Sequence, residues 1–391
     1  MPGAIPLSQP DITEEEVDAV AEVLRSGRLS IGPQQEAFEH AVARRSGRTH
    51  GVAVNSGTDG LHLALLALGV GPGDEVVTTP FSFVASANVI LMVGATPVFV
   101  DVCPRSLNLD PEAVEAAVTP RTKAILAVEV FGNTTHMAAL EAVARKHEVP
   151  LVEDCCEALG GRDANGRAAG GFGRVGVYGF YPNKQVTTGE GGMIVTDDDQ
   201  LAAACRSLRN QGRAVDAHTG SSAATGSWLT HERLGYNCRL SEVACALGVV
   251  QMRRLDAMLE ARRRVAGFYT QHLMDVPELV LPQPEPGSEG SHSWFVYVVR
   301  LASGFGRDER DRVIAGLRKH GIGAGDYFPC IHLQPFYRET LGDLSGRFPV
   351  AERASTKTIA LPFFPGLDET RVELVCERLK GLIAAEGLRR G

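Results

Sequence analysis

The residue with the clearest chemical potential is Lys184, the only lysine of the stretch GVYGFYPNKQVTTGEGG at 176–192. Its neighbours are aromatic residues, glycines and small polar residues. A lysine side chain in surroundings poor in water loses its proton more readily and becomes an amine nucleophile, as a Schiff base requires. Most lysines are solvated surface residues, however, and this stretch alone favours that alternative.

A second stretch, GVAVNSGTDGLHLALLAL, predicts a strand, a tight turn that ends at Gly57, and a helix with Thr58 or Asp59 at its cap. Unpaired backbone N–H groups at the start of a helix, beside a glycine that permits close approach, form an anion site suited to a phosphate. The alternative is an ordinary turn between a strand and a helix, which is common.

Two further strand ends carry candidate side chains. An apolar strand in VPLVEDCCEALGG ends at Asp154. Open α/β sheets bind their ligands at the carboxyl ends of such strands. A carboxylate there can pair with the protonated ring nitrogen of an aromatic cofactor, although Asp154 could instead cap the next helix. Glu157 would face the same side if the segment turns helically. Phe81, in TTPFSFVAS, could stack on a planar cofactor, although core packing is the commoner role of an isolated phenylalanine.

Other chemistries find little support in the sequence. Residues 171–176 match the pattern G-x-G-x-x-G, but a polar loop precedes them and a strand pattern follows, so they do not indicate a nicotinamide or flavin site. The sequence contains no phosphate-binding loop of the G-x-x-x-x-G-K-[ST] type, no H-E-x-x-H and no G-x-S-x-G. None of the eleven histidines shows the spacing of metal ligands.

Composition sets the broad class of the protein. The chain of 391 residues is longer than one hydrophobic core usually supports, so we expect a large domain and a smaller one. A net charge of −8 gives no basic surface for nucleic acid or an anionic membrane. Eight scattered cysteines without a C-x-x-C pair indicate reduced thiols, and neither a signal peptide nor a long apolar run is evident. We therefore expect a cytoplasmic protein.

The order of elements predicts an α/β fold. Thr13 and Glu16 predict a capping box for a first helix, and a second helix should cover 33–45. From residue 51 onward, short apolar runs alternate with helical patterns, which predicts a mostly parallel central sheet flanked by helices. A long helix over 241–273 should join this domain, residues 1–255, to a smaller C-terminal α+β domain, residues 256–391. Within the smaller domain the pattern predicts a loop at 282–291, a strand in WFVYVVRL, and helices near 308–320 and 369–386.

Four motifs in this order resemble the DegT/StrS group of nucleotide-sugar aminotransferases: NSGTDGLHLALLALGVGPGDEV, VEDCCEALGG, FYPNKQVTTGEGG and RLGYNCRLSEVACALGVVQMRRLD. The resemblance runs from about residue 10 to the C-terminus. It implies the PLP-dependent transferase fold of type I, a homodimer with active sites at the subunit interface, and pyridoxal 5′-phosphate (PLP) bound to the protein as an internal aldimine. It also implies roles for individual residues.

By this resemblance Lys184 forms the Schiff base with PLP and Asp154 pairs with the pyridine nitrogen. Gly57 and Thr58 bind the phosphate, and Phe81 stacks on the ring. Three further residues complete the set: Asn237 and Arg239 reach the neighbouring subunit's site, toward the phosphate and the incoming carboxylate respectively, and His332 lies in the loop on the sugar side.

Two positions depart from the pattern of the group. The residue five before the lysine is commonly a serine that donates its hydroxyl to the phosphate, but it is Gly179 here, which leaves only a backbone N–H. Where the group commonly has a glutamine near the phenolic oxygen of the cofactor, this chain has Glu157. A carboxylate beside a phenolate is repelled unless one of the two is protonated.

The function implied is the transfer of an amino group from an amino acid, with L-glutamate as the expected donor, to a keto group of a nucleotide-linked deoxysugar. Lys184 would act as the general base. Asp154, paired with the pyridine nitrogen of PLP, would keep the cofactor ring able to accept electrons. The run TTGEGGM favours a 4-keto-6-deoxy sugar. A 3-keto sugar, a keto-cyclitol and a regulatory or binding protein without catalysis remain alternatives. A related sugar dehydratase would carry histidine in place of Lys184.

Overall fold

The computed structural model describes residues 4–213, 230–283 and 292–389. Most of the loop predicted at 282–291 lies outside these residues. Among the described residues, no helix has the length and apolar character that crossing a bilayer requires.

A mostly parallel sheet lies at the centre of the larger part of the chain. Its strand order is β1-β7-β6-β5-β4-β2-β3, and β7 is antiparallel to both of its neighbours while the pairs from β6 to β3 are parallel. The predicted sheet is thereby confirmed, with an antiparallel strand that the sequence did not suggest. The strands are β1 (His50–Val54), β2 (Glu75–Thr78), β3 (Thr96–Phe99), β4 (Thr122–Val128), β5 (Leu151–Asp154), β6 (Val175–Gly179) and β7 (Gly192–Thr196).

Helices connect these strands and flank the sheet. The first helix begins after Thr13, whose backbone N–H donates to the Glu16 carboxylate at 2.8 Å, as the predicted capping box requires. The helices are α1 (Glu14–Ser26), α2 (Pro33–Ser46), α3 (Gly57–Ala67), α4 (Ala85–Met92), α5 (Pro111–Ala117), α6 (Met137–Lys146), α7 (Asp199–Arg209) and the long α8 (Glu242–Leu273).

The C-terminal part forms a second layered unit. Three antiparallel strands in the order β10-β9-β8 pack against helices. The elements are β8 (Leu279–Val280), β9 (Tyr297–Leu301), α9 (Arg307–Lys319), α10 (Pro335–Leu341), α11 (Pro349–Ser355), β10 (Thr358–Leu361) and α12 (Glu369–Leu388).

The hydrophobic cores of the central sheet and of the second unit do not divide the chain at a single position. On α8, Leu259 packs in a core of the central sheet, whereas Val265 packs in the core of the second unit. Ile5 belongs to the second core although it precedes the whole central sheet. In the opposite direction, Phe328 and Ala354 belong to a core of the central sheet. The units predicted as 1–255 and 256–391 are thus interlocked by segments that cross between them.

A pair of buried glutamates lies beside the end of the central strands. Glu153 accepts hydrogen bonds from the backbone N–H groups of Gly170 at 2.9 Å and Phe172 at 2.7 Å. Neither carboxyl oxygen of Glu129 has a well-directed hydrogen-bond partner among the described residues. Burial and the nearby charge of Glu153 raise the pKa of Glu129 well above its usual range. Burial therefore favours the protonated form of the Glu129 carboxyl group.

Glu129→Gln is expected to stabilise the protein at alkaline pH. The folded-state pKa of Glu129 is raised, so its contribution is complete below the pKa of an unfolded glutamate and is lost as the pH rises toward the folded pKa. Between pH 5 and pH 8 the melting temperature of the variant should fall less than that of the parent, and the two decreases should differ by about 2 °C or more. Calorimetry at both values measures this, with the exposed Glu377→Gln as control. Equal slopes in parent and variant would contradict the prediction.

Candidate active site

A cavity of about 590 Å³ opens where the carboxyl ends of the central strands meet the second unit. The central sheet and its loops contribute Asp154, at the end of β5, and Lys184, between β6 and β7. The C-terminal half contributes Phe295 and the segment 326–329. A ligand in this cavity would therefore contact both parts of the chain.

Asp154 is held in a fixed orientation. Because side chains alternate along β5, Glu153 and Asp154 point to opposite faces of the sheet. The Ser86 hydroxyl, on α4, donates to Oδ2 of Asp154 at 2.7 Å, and the backbone N–H of Cys156 donates to Oδ1 at 3.3 Å. The side chain is buried yet lines the cavity, so it can present a carboxylate to a ligand group.

The first turn of α3 forms another wall of the cavity. Ser56, rather than Thr58 or Asp59, is the N-cap, because its hydroxyl accepts from the backbone N–H of Asp59 at 3.0 Å. The predicted cap was thus displaced by two or three residues. Gly57 and Thr58 both line the cavity, and the first N–H groups of a helix have no partner within the helix. This turn can bind an anion.

Cys156 explains why both Gly57 and Gly179 lack side chains. A methyl group added at Gly57 would lie 2.7 Å from the Cys156 Sγ, and one added at Gly179 would lie 3.2 Å from it. The thiol therefore fills the space that a serine at position 179 would need. A side chain at position 179 would require this thiol to shift.

Lys184 points into the cavity between a carboxylate and an aromatic ring. Its Nζ lies 3.8 Å from Oε1 of Glu157 and 4.1 Å from the centroid of the Phe295 ring. Oε2 of Glu157 accepts from the backbone N–H of Phe131 at 2.8 Å. Burial raises the pKa of Glu157, although Lys184 and the Phe131 N–H act in the opposite direction. The two titratable groups thus share one corner of the cavity.

Phe81 does not take the position predicted for a stacking ring. Its side chain is 0% exposed and lies edge-on to Phe131 and Phe328 with centroids about 6 Å apart, so it packs beneath the cavity. Phe83 lines the cavity instead, and 61% of it is exposed. Both phenylalanines lie in the loop between β2, which ends at Thr78, and α4, which begins at Ala85.

Three predicted substrate or cofactor residues lie away from this chain's own cavity. Asn237 is exposed, and Arg239 donates from Nη1 to Oδ1 of Asn210 at 2.8 Å. Their predicted role in a neighbouring subunit remains a prediction. His332 is 1% exposed and its Nε2 lies 3.1 Å from Oε1 of Glu352, so it packs in the interior rather than facing the cavity. Burial lowers the pKa of His332, which therefore favours the neutral imidazole.

Sequence reasoning missed several residues of the site. Ser86 and Phe295 contact Asp154 and Lys184 from distant parts of the chain, and no local pattern singles them out. Phe83 stands two positions after Phe81, the residue predicted to stack on the cofactor. A matching pair of aromatic residues in FSF was the available signal.

The sequence profile of the DegT/DnrJ/EryC1/StrS aminotransferase family matches residues 10–380. The chain belongs to this family. The DegT/DnrJ/EryC1/StrS enzymes and their structural neighbours are PLP-dependent sugar aminotransferases of fold type I, so this chain is a PLP-dependent aminotransferase with that fold.

Known proteins resemble this family member over almost its whole length. The spore coat polysaccharide biosynthesis protein SpsC of Bacillus subtilis (strain 168) is 38% identical over 381 residues, which are 97% of each chain. The aminotransferase TlmJ of Streptoalloteichus hindustanus has a TM-score of 0.89 at 35% identity, with 98% of this chain and 100% of that chain covered. Spr1654 of Streptococcus pneumoniae, described as a sugar aminotransferase and solved in its PMP form, has a TM-score of 0.89 at 28% identity, with 97% of this chain and 98% of that chain covered.

The cavity of this aminotransferase fits PLP. Asp154 stands where it can pair with the ring nitrogen, and the first turn of α3 can bind the phosphate. Gly57 and Gly179 line the same part of the cavity, so their backbone N–H groups could approach that phosphate without a side chain in between. Lys184 presents a primary amine in the same cavity, which would bind the cofactor covalently.

Glu157→Gln is expected to flatten the pH dependence of PLP binding. A protonated Glu157 can donate to the phenolic oxygen of the cofactor, whereas an ionised one repels it. Since burial raises the pKa of Glu157, PLP affinity should fall as the pH rises through that value, by about tenfold between pH 5 and pH 8. Glutamine donates at every pH. Titration of the apoprotein with PLP, followed by absorbance, measures this, and a parallel fall in both proteins would refute it.

Proposed function

We propose that this aminotransferase moves an amino group from L-glutamate to the keto group of a nucleotide-linked 4-keto-6-deoxy sugar. The observation that carries the proposal is the meeting of Lys184, Asp154 and the first turn of α3 in one cavity. SpsC, named for polysaccharide biosynthesis, supports a sugar as the acceptor.

When bound, PLP supplies an electron sink that lets an amino group and a proton be exchanged between donor and acceptor. Ser86 and Cys156 fix the orientation of the Asp154 carboxylate. By pairing with the ring nitrogen, this carboxylate would keep the nitrogen protonated. Phe83, which lines the cavity, rather than Phe81, would lie against the ring. The Lys184 amine, once released, would move the proton that leaves the Cα of the donor.

The acidic mouth of the cavity supports a polyhydroxy substrate. Glu190 and Asp326 both line it, and both are accessible to solvent. Carboxylates accept hydrogen bonds from sugar hydroxyls and repel phosphate groups. We therefore place the sugar ring near these residues and the nucleotide diphosphate farther out.

The test is an assay of purified enzyme with L-glutamate and nucleotide-linked hexoses that carry the keto group at C4 or at C3. Mass spectrometry of the aminated sugar and assay of 2-oxoglutarate give the result. We expect turnover of the 4-keto-6-deoxy sugar. Exclusive amination of the 3-keto sugar or of a keto-cyclitol would overturn the choice of substrate, and the absence of turnover with every nucleotide-linked hexose would overturn this class of acceptor.

We further propose a homodimer in which Asn237 and Arg239 complete the partner's site. Both lie outside this chain's own cavity, and Asn237 is exposed. This arrangement predicts complementation. Inactive Lys184→Ala and Asn237→Ala chains, unfolded together and refolded as mixed dimers, should recover activity, because one of the two sites in each mixed dimer carries neither change.

Random pairing would restore about a quarter of all sites. Each variant refolded alone is the control. Mixed dimers that form, as shown by tag-based purification, yet stay inactive would contradict the shared site.

A further inference from the structure

Arg262 lies at the point of α8 where the helix passes from one hydrophobic core to the other. Leu259 on its N-terminal side packs with the central sheet, and Val265 on its C-terminal side packs with the second unit. The Arg262 residue itself is 3% exposed. This position lets one side chain reach both parts of the molecule.

The guanidinium binds three backbone carbonyls. Nη2 donates to the carbonyl oxygen of Lys184 at 2.9 Å. Nη1 donates to the carbonyl oxygens of Trp294 at 3.3 Å and Phe295 at 3.2 Å. Arg262 thus joins the backbone of Lys184 to the segment that enters β9.

A buried cation without a counter-charge is an expensive way to join two segments. Among the described residues no carboxylate pairs with Arg262, and its Nε has no hydrogen-bond partner there. Burial lowers the pKa of Arg262 to about 10, which still leaves it charged at neutral pH. Neutral carbonyls compensate only part of the desolvation cost. An apolar side chain could pack here at a lower desolvation cost. The charge of Arg262 is therefore expected to serve a purpose other than packing.

The two segments joined by Arg262 also meet at the other end of the lysine side chain. The Phe295 ring lies 4.1 Å from Nζ of Lys184. Beside them, Nε2 of Gln185 donates to Oγ of Ser293 at 2.9 Å and to the carbonyl oxygen of Glu157. The backbone of the lysine and the aromatic residue beside its amine are therefore held by the same group of hydrogen bonds.

We infer that Arg262 is a positioning residue for Lys184. It fixes the backbone of the lysine relative to Phe295, so that the amine enters the cavity between Phe295 and Glu157. This inference rests on the proposed role of Lys184 as the residue that binds PLP. It adds a link by which the position of the second unit determines where the amine lies.

The experiment compares Arg262→Met, which keeps an unbranched side chain as far as the ε position without the guanidinium group, with Arg262→Lys, which keeps the charge but cannot bind three carbonyls in a fork. Arg263→Met, on the exposed side of the same helix, is the control. Apoproteins are mixed with PLP, and capture by Lys184 is followed by absorbance and fixed with borohydride for peptide mapping. Circular dichroism confirms that each variant is folded.

We expect both Arg262 variants to capture PLP at least about tenfold more slowly than the parent, and kcat to fall while KM for the keto substrate changes less than about twofold. Added guanidinium ion should partly restore capture by Arg262→Met. If that variant does not fold, Arg262→Lys decides. Capture at the parent rate by a folded variant overturns the inference. Failure of the parent protein to label at Lys184 would instead overturn the proposed site.

Discussion

Lys184→Ala should lower kcat/KM by about 10⁴-fold or more, because it removes both the amine that binds the cofactor and the base that moves the proton. The side chain points into the cavity without carrying a structural hydrogen bond from its Nζ to the backbone in the described residues, so the fold should survive. Borohydride reduction of PLP-loaded parent enzyme should label one peptide, the one that contains Lys184. The variant should take up no label.

Lys123→Ala is the matched control, because Lys123 is exposed on β4 and far in sequence from the motifs of the cavity. It should label and react like the parent. A Lys184→Ala enzyme that keeps substantial activity, or a label on another lysine, would remove the basis for the proposed chemistry.

Asp154→Asn should produce the second-largest loss, about 10³-fold in kcat, since an amide cannot stabilise a protonated ring nitrogen. The geometry allows a graded comparison. Ser86 donates one hydrogen bond to the Asp154 carboxylate at 2.7 Å, and a hydrogen bond to a charged group contributes about 1.5–3 kcal/mol. Ser86→Ala should therefore cost roughly 10- to 100-fold, less than the loss of the carboxylate itself.

Steady-state kinetics and PLP titrations of both variants test this order. The expected ranking places Asp154→Asn well below Ser86→Ala in kcat. If the two variants were equally impaired, the hydroxyl would be acting on the reaction directly rather than through Asp154. If Asp154→Asn were nearly as active as the parent, the assignment of its carboxylate to the ring nitrogen would be wrong.

The sequence predicted those parts of the molecule that depend on local pattern. Asp154 could be placed because it ends an apolar run, and the mostly parallel sheet followed from the alternation of apolar runs with helical segments. The strand β7 was missed because glycines on its N-terminal side hide its apolar run GMIVT among turn residues.

Long-range contacts were beyond local pattern. Ser86 is separated from Asp154 by 68 positions, and Arg262 from Lys184 by 78. Phe81 and Phe83 are two positions apart in one loop, and no local pattern indicates which of the two is buried. His332 was assigned by resemblance alone, and its burial between Phe99 and Phe348 shows that the same stretch can serve packing.

The cavity wall is built from both halves of the polypeptide, with Lys184 on one side and Phe295 on the other. Neither half by itself can enclose the cofactor. Part of the binding free energy therefore stabilises the contact between the central sheet and the second unit. A ligand that binds only the native form stabilises that form by mass action. Stripped of PLP, the protein should melt at a lower temperature, and saturation with the cofactor should raise that temperature.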